Sequence, residues 1–504
     1  MRGGTVSETL LHPPPAAPPL KPTGLFSDSR RARAIVTVAV VNFVSMCATS
    51  CMLAPFQEML LQRACDRVGL NYSSPACSSS KTAQAEASSR VATYNLAQQV
   101  PNLLTVGLVG AISDALGRDK ALLCPLVTLL LSSLAVAMIP DGRVCLPHRD
   151  SGGGLCVEDG FDVLVGVTIL CSSGGGVLAV LSSSFAVVAD VTQGRDPKQI
   201  ALCFALAELW LFLGLMVGPT LAGMLASKVG LQASFYMAVT MYAVGVVTVL
   251  ALLRELRDKS ALPRFDWQQV VPLVTATVMV QTPLARRFAV MLSAGAMSFG
   301  VMTIFALYLT DIYSYNPDLN GYWQSVNFAA GAFGLMVGLP LMQRCLSLRA
   351  IFIICTSLGA INFALTSMLA LSPLRHIYYA PFGVAVMGVL NQIPTPMIRA
   401  CVTQHFGEAK YGLSLAAVAT VQTLFNLLGN QLSPRLYSAT VHIGHPEFTF
   451  YAATVMGIVV WFAAMLLPTL DPSVPTAPGL VNEVKKQEQD TQDQEEVVHT
   501  GSIQ

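Results

Sequence analysis

Long apolar segments alternate with short polar stretches along most of the chain. An α-helix needs roughly 20 apolar residues to cross the hydrocarbon core of a bilayer. With that requirement the sequence predicts twelve transmembrane helices. Their approximate bounds are 34–57, 91–112, 121–139, 161–188, 200–226, 233–254, 287–310, 321–342, 349–370, 376–400, 410–432 and 447–469. Because the backbone must satisfy its own hydrogen bonds in lipid, the pattern indicates an all-α membrane protein.

The polar segments divide the chain into five parts. Residues 1–33 are Pro-rich, and residues 470–504 are acidic and end in a stretch without aromatic side chains. Both segments are predicted to be disordered and cytosolic, because neither has the apolar residues of a core. A central cytosolic loop, 255–286, separates six helices in 34–254 from six in 287–469. The layout predicts two six-helix bundles.

Composition and charge agree with a membrane location and set the orientation. Hydrophobic residues make up 53% of the chain and charged residues 12%, about half the charged fraction of a soluble domain. The net charge is +1 with basic residues scattered over short loops, so no nucleic-acid partner is expected. Of the 30 Lys and Arg residues, 21 lie on the side of the N-terminus and 9 on the other. Both termini are therefore predicted to be cytosolic.

That orientation places one glycosylation sequon and four cysteines outside the cell or in a lumen. The sequon begins at Asn71, in the loop between helices 1 and 2. Cys65, Cys77, Cys145 and Cys156 lie in two outer loops, where disulfides can form if the compartment is oxidising. The sequence leaves their pairing open. No Cys-x-x-Cys pair occurs among the 12 cysteines, and no metal or cofactor is expected.

A short charged turn between helices 2 and 3 contains Gly110, Asp114, Gly117 and Arg118. The pattern Gly-x-x-x-Asp-x-x-Gly-Arg resembles the same loop of the major facilitator superfamily, whose members are transporters with twelve helices in two bundles. The resemblance implies that Asp114 faces the N-terminus of helix 11 and that Arg118 pairs with Asp190 at the end of helix 4. These contacts would form a gating latch that stabilises an outward-facing state. The alternative is that the charges only keep a tight turn in water.

Helix 5 carries small residues at helical spacing: Gly214, Gly218, Pro219 and Gly223. Glycines four residues apart allow helix backbones to approach closely in lipid, and a proline inside a helix removes one backbone hydrogen bond. The spacing resembles a motif of drug–proton antiporters. Helix packing is the expected role of these residues.

Ionisable residues inside the predicted spans are candidates for function, because each is costly in hydrocarbon unless it faces a cavity or a partner. Glu208 lies inside helix 5 and Arg399 near the end of helix 10. Both are predicted to line a central pathway, with a structural hydrogen-bonding role as the alternative. Glu58, at the outer end of helix 1, is predicted to be interfacial.

The segments around these residues resemble the branch of proton-coupled folate transporters with its thymic stromal and lysosomal relatives. The matching segments are 184–190, 396–400 and 436–440. The resemblance implies that Glu208 takes part in proton coupling and that Arg399 binds protons and substrate. A carboxyl group in a low-dielectric cavity can carry a proton at mildly acidic pH, and a guanidinium can hold a carboxylate with two hydrogen bonds.

The chain also departs from that branch. Ser298 stands where the folate transporters have a helix 7 histidine, and Gly176 where they have an acid in helix 4. An outer-loop cysteine of that branch has no counterpart. Folate itself is therefore not assigned as the substrate.

The sequence predicts a monomeric transporter of a small organic solute, working by alternating access in a lipid bilayer. An organic anion attracted by Arg399 is favoured, with proton symport through Glu208, and the plasma membrane is favoured over a lysosomal or other acidic organelle membrane. The alternatives are a drug–proton antiporter and a transport-inactive receptor or scaffold. No enzymatic activity is expected.

Overall fold

The computed structural model describes residues 29–70, 75–78, 80–138, 144–146, 155–157, 160–192, 197–253, 277–371, 374–406 and 411–468. Asn71, most of the N-terminal arm, most of the central loop and the acidic tail lie outside these ranges. The described residues are overwhelmingly helical, as the hydrophobic pattern predicts.

The first half of the chain contains helices on both sides of a small hairpin. In chain order its helices are α1 (Ser29–Val68), α2 (Pro75–Ser78), α3 (Lys81–Ala115), α4 (Arg118–Met138), α5 (Gly160–Cys171), α6 (Gly176–Thr192), α7 (Pro197–Lys228) and α8 (Leu231–Leu252). Two antiparallel strands lie between α4 and α5: β1 (Val144–Leu146) and β2 (Leu155–Val157).

The second half begins, within the described residues, near a short 3₁₀ turn at Val278–Val280. Its helices are α9 (Pro283–Phe299), α10 (Phe305–Tyr313), α11 (Pro317–Phe333), α12 (Leu339–Cys345), α13 (Leu348–Met368), α14 (Ala380–Met387), α15 (Pro394–Phe406), α16 (Tyr411–Val441) and α17 (Phe448–Met465).

Nine stretches of the described residues are long and apolar enough to cross a membrane. They are Ser29–Val68, Arg118–Met138, Gly160–Thr192, Leu206–Lys228, Leu231–Leu252, Pro283–Tyr313, Pro317–Cys345, Leu348–Met368 and Phe448–Met465. The other three predicted spans coincide with α3, with the two short helices α14 and α15, and with α16. The fold is therefore a helical membrane protein with nine spans supported by length and composition.

Four of the predicted spans are interrupted helices, where the apolar pattern predicts continuous ones. The interruptions are 3₁₀ turns at Ser172–Gly174, Gly300–Ile304 and Gly388–Leu390 and a π-helical turn at Gly334–Gly338. Glycine, which weakens a helix, is present at each interruption. In the first case Gly175 and Gly176 follow with φ of 83° and 64°, a left-handed conformation that favours glycine.

We call the end of the molecule that holds Ser29 the inner end and the opposite one the outer end. At the outer end an aromatic cluster contains side chains from both halves of the chain. The ring centroids of Phe305 and Trp323 are 3.8 Å apart, and that of Phe450 lies 5.3 Å from Phe305. Phe56 contributes from the first half, and its ring centroid lies 4.2 Å from that of Tyr94 with the two rings tilted by 42°.

Polar contacts also connect the two halves at the outer end. Lys81 on α3 donates to both carboxylate oxygens of Asp311 on α10, each at 3.0 Å. Thr220 on α7 donates to Ser325 on α11 at 2.7 Å. The outer end is thus closed by packing and by hydrogen bonds between the halves.

Candidate functional site

Glu208 lies on the face of α7 that points into the protein. Its neighbours Leu206 and Trp210 are about 40% exposed, on the side available to lipid, whereas Glu208 itself is 7% exposed. On the buried face, Asn42 of α1 donates to the carbonyl oxygen of Ala207 at 3.2 Å. This bond fixes the turn of α7 that carries the carboxyl group.

Arg399 of α15 reaches across from the second half and contacts Glu208. Its Nη1 lies 3.4 Å from Glu208 Oε1, and its Nη2 donates to Gln422 Oε1 at 3.1 Å. The guanidinium also lies over the ring of Phe185, at 5.5 Å from the centroid, a cation–π distance. We call Glu208 and Arg399 the central pair.

The contact within the central pair is loose. Charge-assisted hydrogen bonds between a guanidinium and a carboxylate are usually about 2.7–2.9 Å long, shorter than the 3.4 Å found here. The side chains of Arg399 and Glu208 are only 16% and 10% exposed, so water screens them little. The arrangement is a buried ion pair with a long contact between the guanidinium and the carboxylate.

The depth of the central pair follows from the helices that carry it. Glu208 on α7 and Gln422 on α16 each lie about three helical turns, roughly 16 Å, beyond the inner start of their helix. The central pair therefore lies in the inner part of the membrane domain, where α7 of one half meets α15 and α16 of the other.

Arg118 and Asp190 are brought together at the inner end. The Nε of Arg118 donates to Asp190 Oδ2 at 2.8 Å, and a second guanidinium nitrogen donates to Ser113 Oγ. Arg118 is 9% exposed despite its position at a helix start. Gly117, with φ of 114°, makes the turn that allows α4 to begin directly after α3.

The rest of the predicted latch is described in part. Gly110 and Asp114 lie in the last turns of α3, but the side chain of Asp114 is outside what the structure describes. Close to them, Ala419 of α16 packs with Val106 and Val109 of α3. The two halves therefore meet beside this loop at the inner end.

The helix 5 glycines fall into two groups with different partners. A Cβ added at Gly214 would lie 2.3 Å from the carbonyl oxygen of Phe43, and one at Gly218 would lie 2.5 Å from that of Cys47. Both partners are on α1. These two glycines therefore allow α7 to pack closely on a helix of its own half.

Pro219 and Gly223 face the other half. A Cβ at Gly223 would lie 2.8 Å from the carbonyl oxygen of Pro317, and one at Gly321 would lie 2.3 Å from that of Pro219. Both contacts are with the beginning of α11. The same helix is thus attached to its own half at one point and touches the opposite half one turn later.

The structure joins Cys65 to Cys77 in a disulfide, one of the pairings that the sequence left open. Cys145 and Cys156 occupy directly opposite positions of β1 and β2. Their side chains are outside what the structure describes, so a second disulfide there stays a prediction.

Glu58, which the sequence analysis placed at the membrane interface, is buried between the two halves and is a further functional candidate. α1 continues about three turns beyond it to Val68, so Glu58 is not at a helix end. It is 2% exposed, and its Oε1 accepts a hydrogen bond of 2.9 Å from Asn320 Nδ2 on α11. The only sequence signal was a carboxyl residue in an apolar run, which does not reveal the facing helix.

This architecture agrees with a known family. A model of the Major Facilitator Superfamily matches residues 38–430. The chain belongs to this superfamily of membrane transporters, as the loop motif with Asp114 and Arg118 indicated.

Among curated proteins, the chain is similar to the proton-coupled folate transporters of Bos taurus and Rattus norvegicus. It is 25% identical to the first over 381 residues, which cover 71% of this chain and 75% of the relative. The second is also 25% identical, over 350 residues that cover 66% of this chain and 69% of the relative.

Solved structures of the same fold include transporters of different solutes. The human organic anion transporter TETRAN has a TM-score of 0.56 at 15% identity, covering 87% of this chain and 100% of its own. The nucleoside transporter NupG, as a mutant, has a TM-score of 0.60 at 11% identity, covering 86% and 99%. A D-xylose–proton symporter has a TM-score of 0.59 at 14% identity, covering 86% and 98%. These likenesses establish the fold.

Proposed function

We propose that the protein takes up a small organic anion together with protons, by alternating access between two six-helix bundles with twelve spans in all. Arg399 binds the anion and Glu208 carries the proton. The observation that supports this proposal is the loose contact between Arg399 and Glu208 at 3.4 Å, made across the two halves.

The chemistry of the central pair suggests how the two ligands are coupled. While Glu208 is ionised, it neutralises Arg399 and competes with any anionic solute. A proton on Glu208 removes that competition, and the guanidinium can then hold a solute carboxylate with two hydrogen bonds. Because the pair connects α7 to α15, its separation also releases one contact between the halves, as movement of two bundles about a central site requires.

The relatives support the same class of function. The curated relatives are folate transporters coupled to protons, and one structural neighbour transports organic anions. Gly176 and Ser298 replace two residues of the folate branch, so the anion is proposed by its charge and not as folate.

Uptake into proteoliposomes tests the proposal. The purified protein would be given a panel of labelled organic anions at acidic and at neutral external pH, with a neutral interior. We expect uptake of at least one anion to rise with the inward proton gradient. Glu208→Gln should transport with a reduced pH dependence, and Arg399→Lys should raise the KM for the anion, because an ammonium lacks the planar fork.

Glu86→Gln is the matched control. Glu86 pairs with Arg67 at 2.8 Å near the outer surface and is remote from the central pair, so its loss should leave the pH dependence intact. An unchanged pH dependence in Glu208→Gln would remove Glu208 from the coupling role. Efflux driven by an inward proton gradient would favour the antiporter, and absence of flux for every solute would favour a receptor or scaffold.

We also assign Arg118 and Asp190, with Gly110, Asp114 and Gly117, to a gating latch at the inner end. The support is the buried ion pair of 2.8 Å between Arg118 and Asp190, which ties the start of α4 to the end of α6. Arg118→Ala is expected to increase solvent labelling of cysteines introduced at inner positions of the cavity. Unchanged labelling would mean that the pair only stabilises the first half.

We place both termini in the cytosol and the protein, as a monomer, in the plasma membrane. Surface biotinylation of intact cells, with epitope tags at either end, tests this placement. Tags reachable only after permeabilisation, together with a biotinylated protein, are the expected result. An unlabelled protein that co-purifies with lysosomes would contradict it.

A further inference from the structure

Glu58 and Asn320 form a buried polar contact between the two halves at the outer end. Glu58 on α1 is 2% exposed and Asn320 on α11 is 1% exposed. The Nδ2 of Asn320 donates to Glu58 Oε1 at 2.9 Å and to Thr310 Oγ1 at 3.2 Å. Neither the gating latch nor the central pair uses these residues.

The remaining oxygens of this contact have no partner among the described residues. They are Glu58 Oε2 and Asn320 Oδ1, both buried. Two acceptors without a donor are unfavourable in a dry interface, because each loses its hydrogen bonds to water. A carboxylic acid in place of a carboxylate removes the problem, since its O–H donates to the amide oxygen.

The charges on the surrounding helices favour the same conclusion. The nearby charged residue on α11, Asp318, is acidic and offers no cation, and Asp311 on α10 is bound through both oxygens by Lys81 of α3. On α1 itself, Arg63 lies more than one turn beyond Glu58. Within the described residues Glu58 has no ion-pair partner, and an ionised carboxylate buried without one costs several kcal/mol.

We propose that Glu58 is a second proton-binding site, which takes up a proton as the outer end closes. The proton comes from the water that leaves the outer opening and binds to Glu58 Oε2. The neutral acid then forms two hydrogen bonds with Asn320, one in each direction, and these join α1 to α11. Deprotonation leaves a carboxylate that is stable only when the outer end opens to water.

This inference rests on the proposed proton symport, and it adds a proton that acts on the gate instead of on the solute. Over the pH range where Glu58 is protonated in the closed state and ionised in the open state, the closed state binds one more proton than the open state. The ratio of closed to open molecules should therefore rise up to about tenfold for each unit by which the pH falls in that range.

The distance between spin labels at the outer ends of the two halves tests the proposal without any solute. Positions 229 and 443 suit this purpose, because Val229 and Ile443 are 73% and 66% exposed in outer loops of opposite halves. Labels on non-canonical side chains leave the native cysteines in place. In nanodiscs, we expect the short-distance population to grow as the pH falls from neutral to acidic.

Glu58→Gln should hold the outer end closed at every pH, because its amide makes both hydrogen bonds with Asn320 without titrating. The matched control is Gln57→Met. Gln57 also bridges the halves, donating to Met302 O at 3.2 Å and accepting from Ala306 N at 3.1 Å, but it carries no charge. Its loss should reduce the closed population and leave the pH dependence in place.

A second measurement detects the bound proton itself. The infrared difference spectrum of wild type minus Glu58→Gln at acidic pH should contain the carbonyl band of a protonated carboxyl group. A pH-independent distance distribution in a wild-type protein that still transports would overturn this proposal and leave the proposed function intact. If sodium closed the outer end at constant pH, the proposal would also be overturned, because Glu58 Oε2 and Asn320 Oδ1 would then bind a metal cation instead of a proton.

Discussion

Replacing Arg399 by methionine tests whether the central pair is a true ion pair in the membrane domain. Two unit charges 3.4 Å apart attract by at most about 5 kcal/mol at an effective dielectric constant of about 20. The net value is smaller, because both groups lost water when they were buried. Arg399→Met leaves Glu208 buried without a cation, and we expect it to lower the free energy of unfolding by about 3 kcal/mol.

The double variant isolates the pairwise contribution. In Arg399→Met combined with Glu208→Gln the orphaned charge is gone, so about 2 kcal/mol of the loss should be recovered. Unfolding by sodium dodecyl sulfate in mixed micelles, followed by tryptophan fluorescence, gives the four free energies of the cycle. The loss in the single variant should shrink at acidic pH, where the unpaired Glu208 can take up a proton.

Arg67→Met is the control for general effects of losing an arginine. The side chain of Arg67 is 42% exposed and pairs with Glu86 at the surface. Its replacement should therefore lower the free energy of unfolding by less than about 1 kcal/mol. A coupling below about 0.5 kcal/mol between Arg399 and Glu208 would refute the ion pair, and with it the idea that a proton on Glu208 frees the guanidinium.

Three further predictions concern packing, the disulfide and the glycan. Gly218→Ala should destabilise the protein by about 2 kcal/mol and lower the yield of folded protein in size-exclusion chromatography. The control Gly295→Ala, whose Cβ meets nothing within 4 Å, should be neutral or slightly stabilising. Equal chromatographic profiles for the two variants would argue against close α1–α7 packing. Cys65→Ala and Cys77→Ala should each cost about 3 kcal/mol in the same unfolding assay, with no further loss in the double variant, and additive losses would mean that the bond does not form. Asn71→Gln should migrate on a gel like glycosidase-treated wild type, and a wild type insensitive to glycosidase would place the sequon elsewhere.

Hydrophobic periodicity predicted where the helices lie but not where they break. An apolar run such as 161–188 reads the same whether it forms one helix or two, because the lipid-facing side chains are the same in both cases. The break at Ser172–Gly174 depends on how neighbouring helices pack against the 3₁₀ turn. Thr128 on α4 touches the position where a Cβ of Gly174 would lie, and no local pattern contains that contact.

For the candidate site, the sequence supplied single residues and the structure supplied their partners. Glu208 and Arg399 were recognisable because a charge inside an apolar span is costly. The two residues are 191 positions apart in the chain, and their contact depends on the packing of α7 against α15. Glu58 was missed for the same reason, since its partner Asn320 lies 262 positions away.

The left-handed pair Gly175 and Gly176 has a consequence for comparisons within the superfamily. With φ of 64° at Gly176, and with the Asn102 amide 2.5 Å from where its Cβ would be, any other residue at this position would be strained. An acid at this position of the chain therefore needs either a different local backbone or a shifted Asn102 side chain. Grafting an acid onto this chain would strain that turn before the acid could bind a ligand, so main-chain conformation limits this position as much as residue identity does.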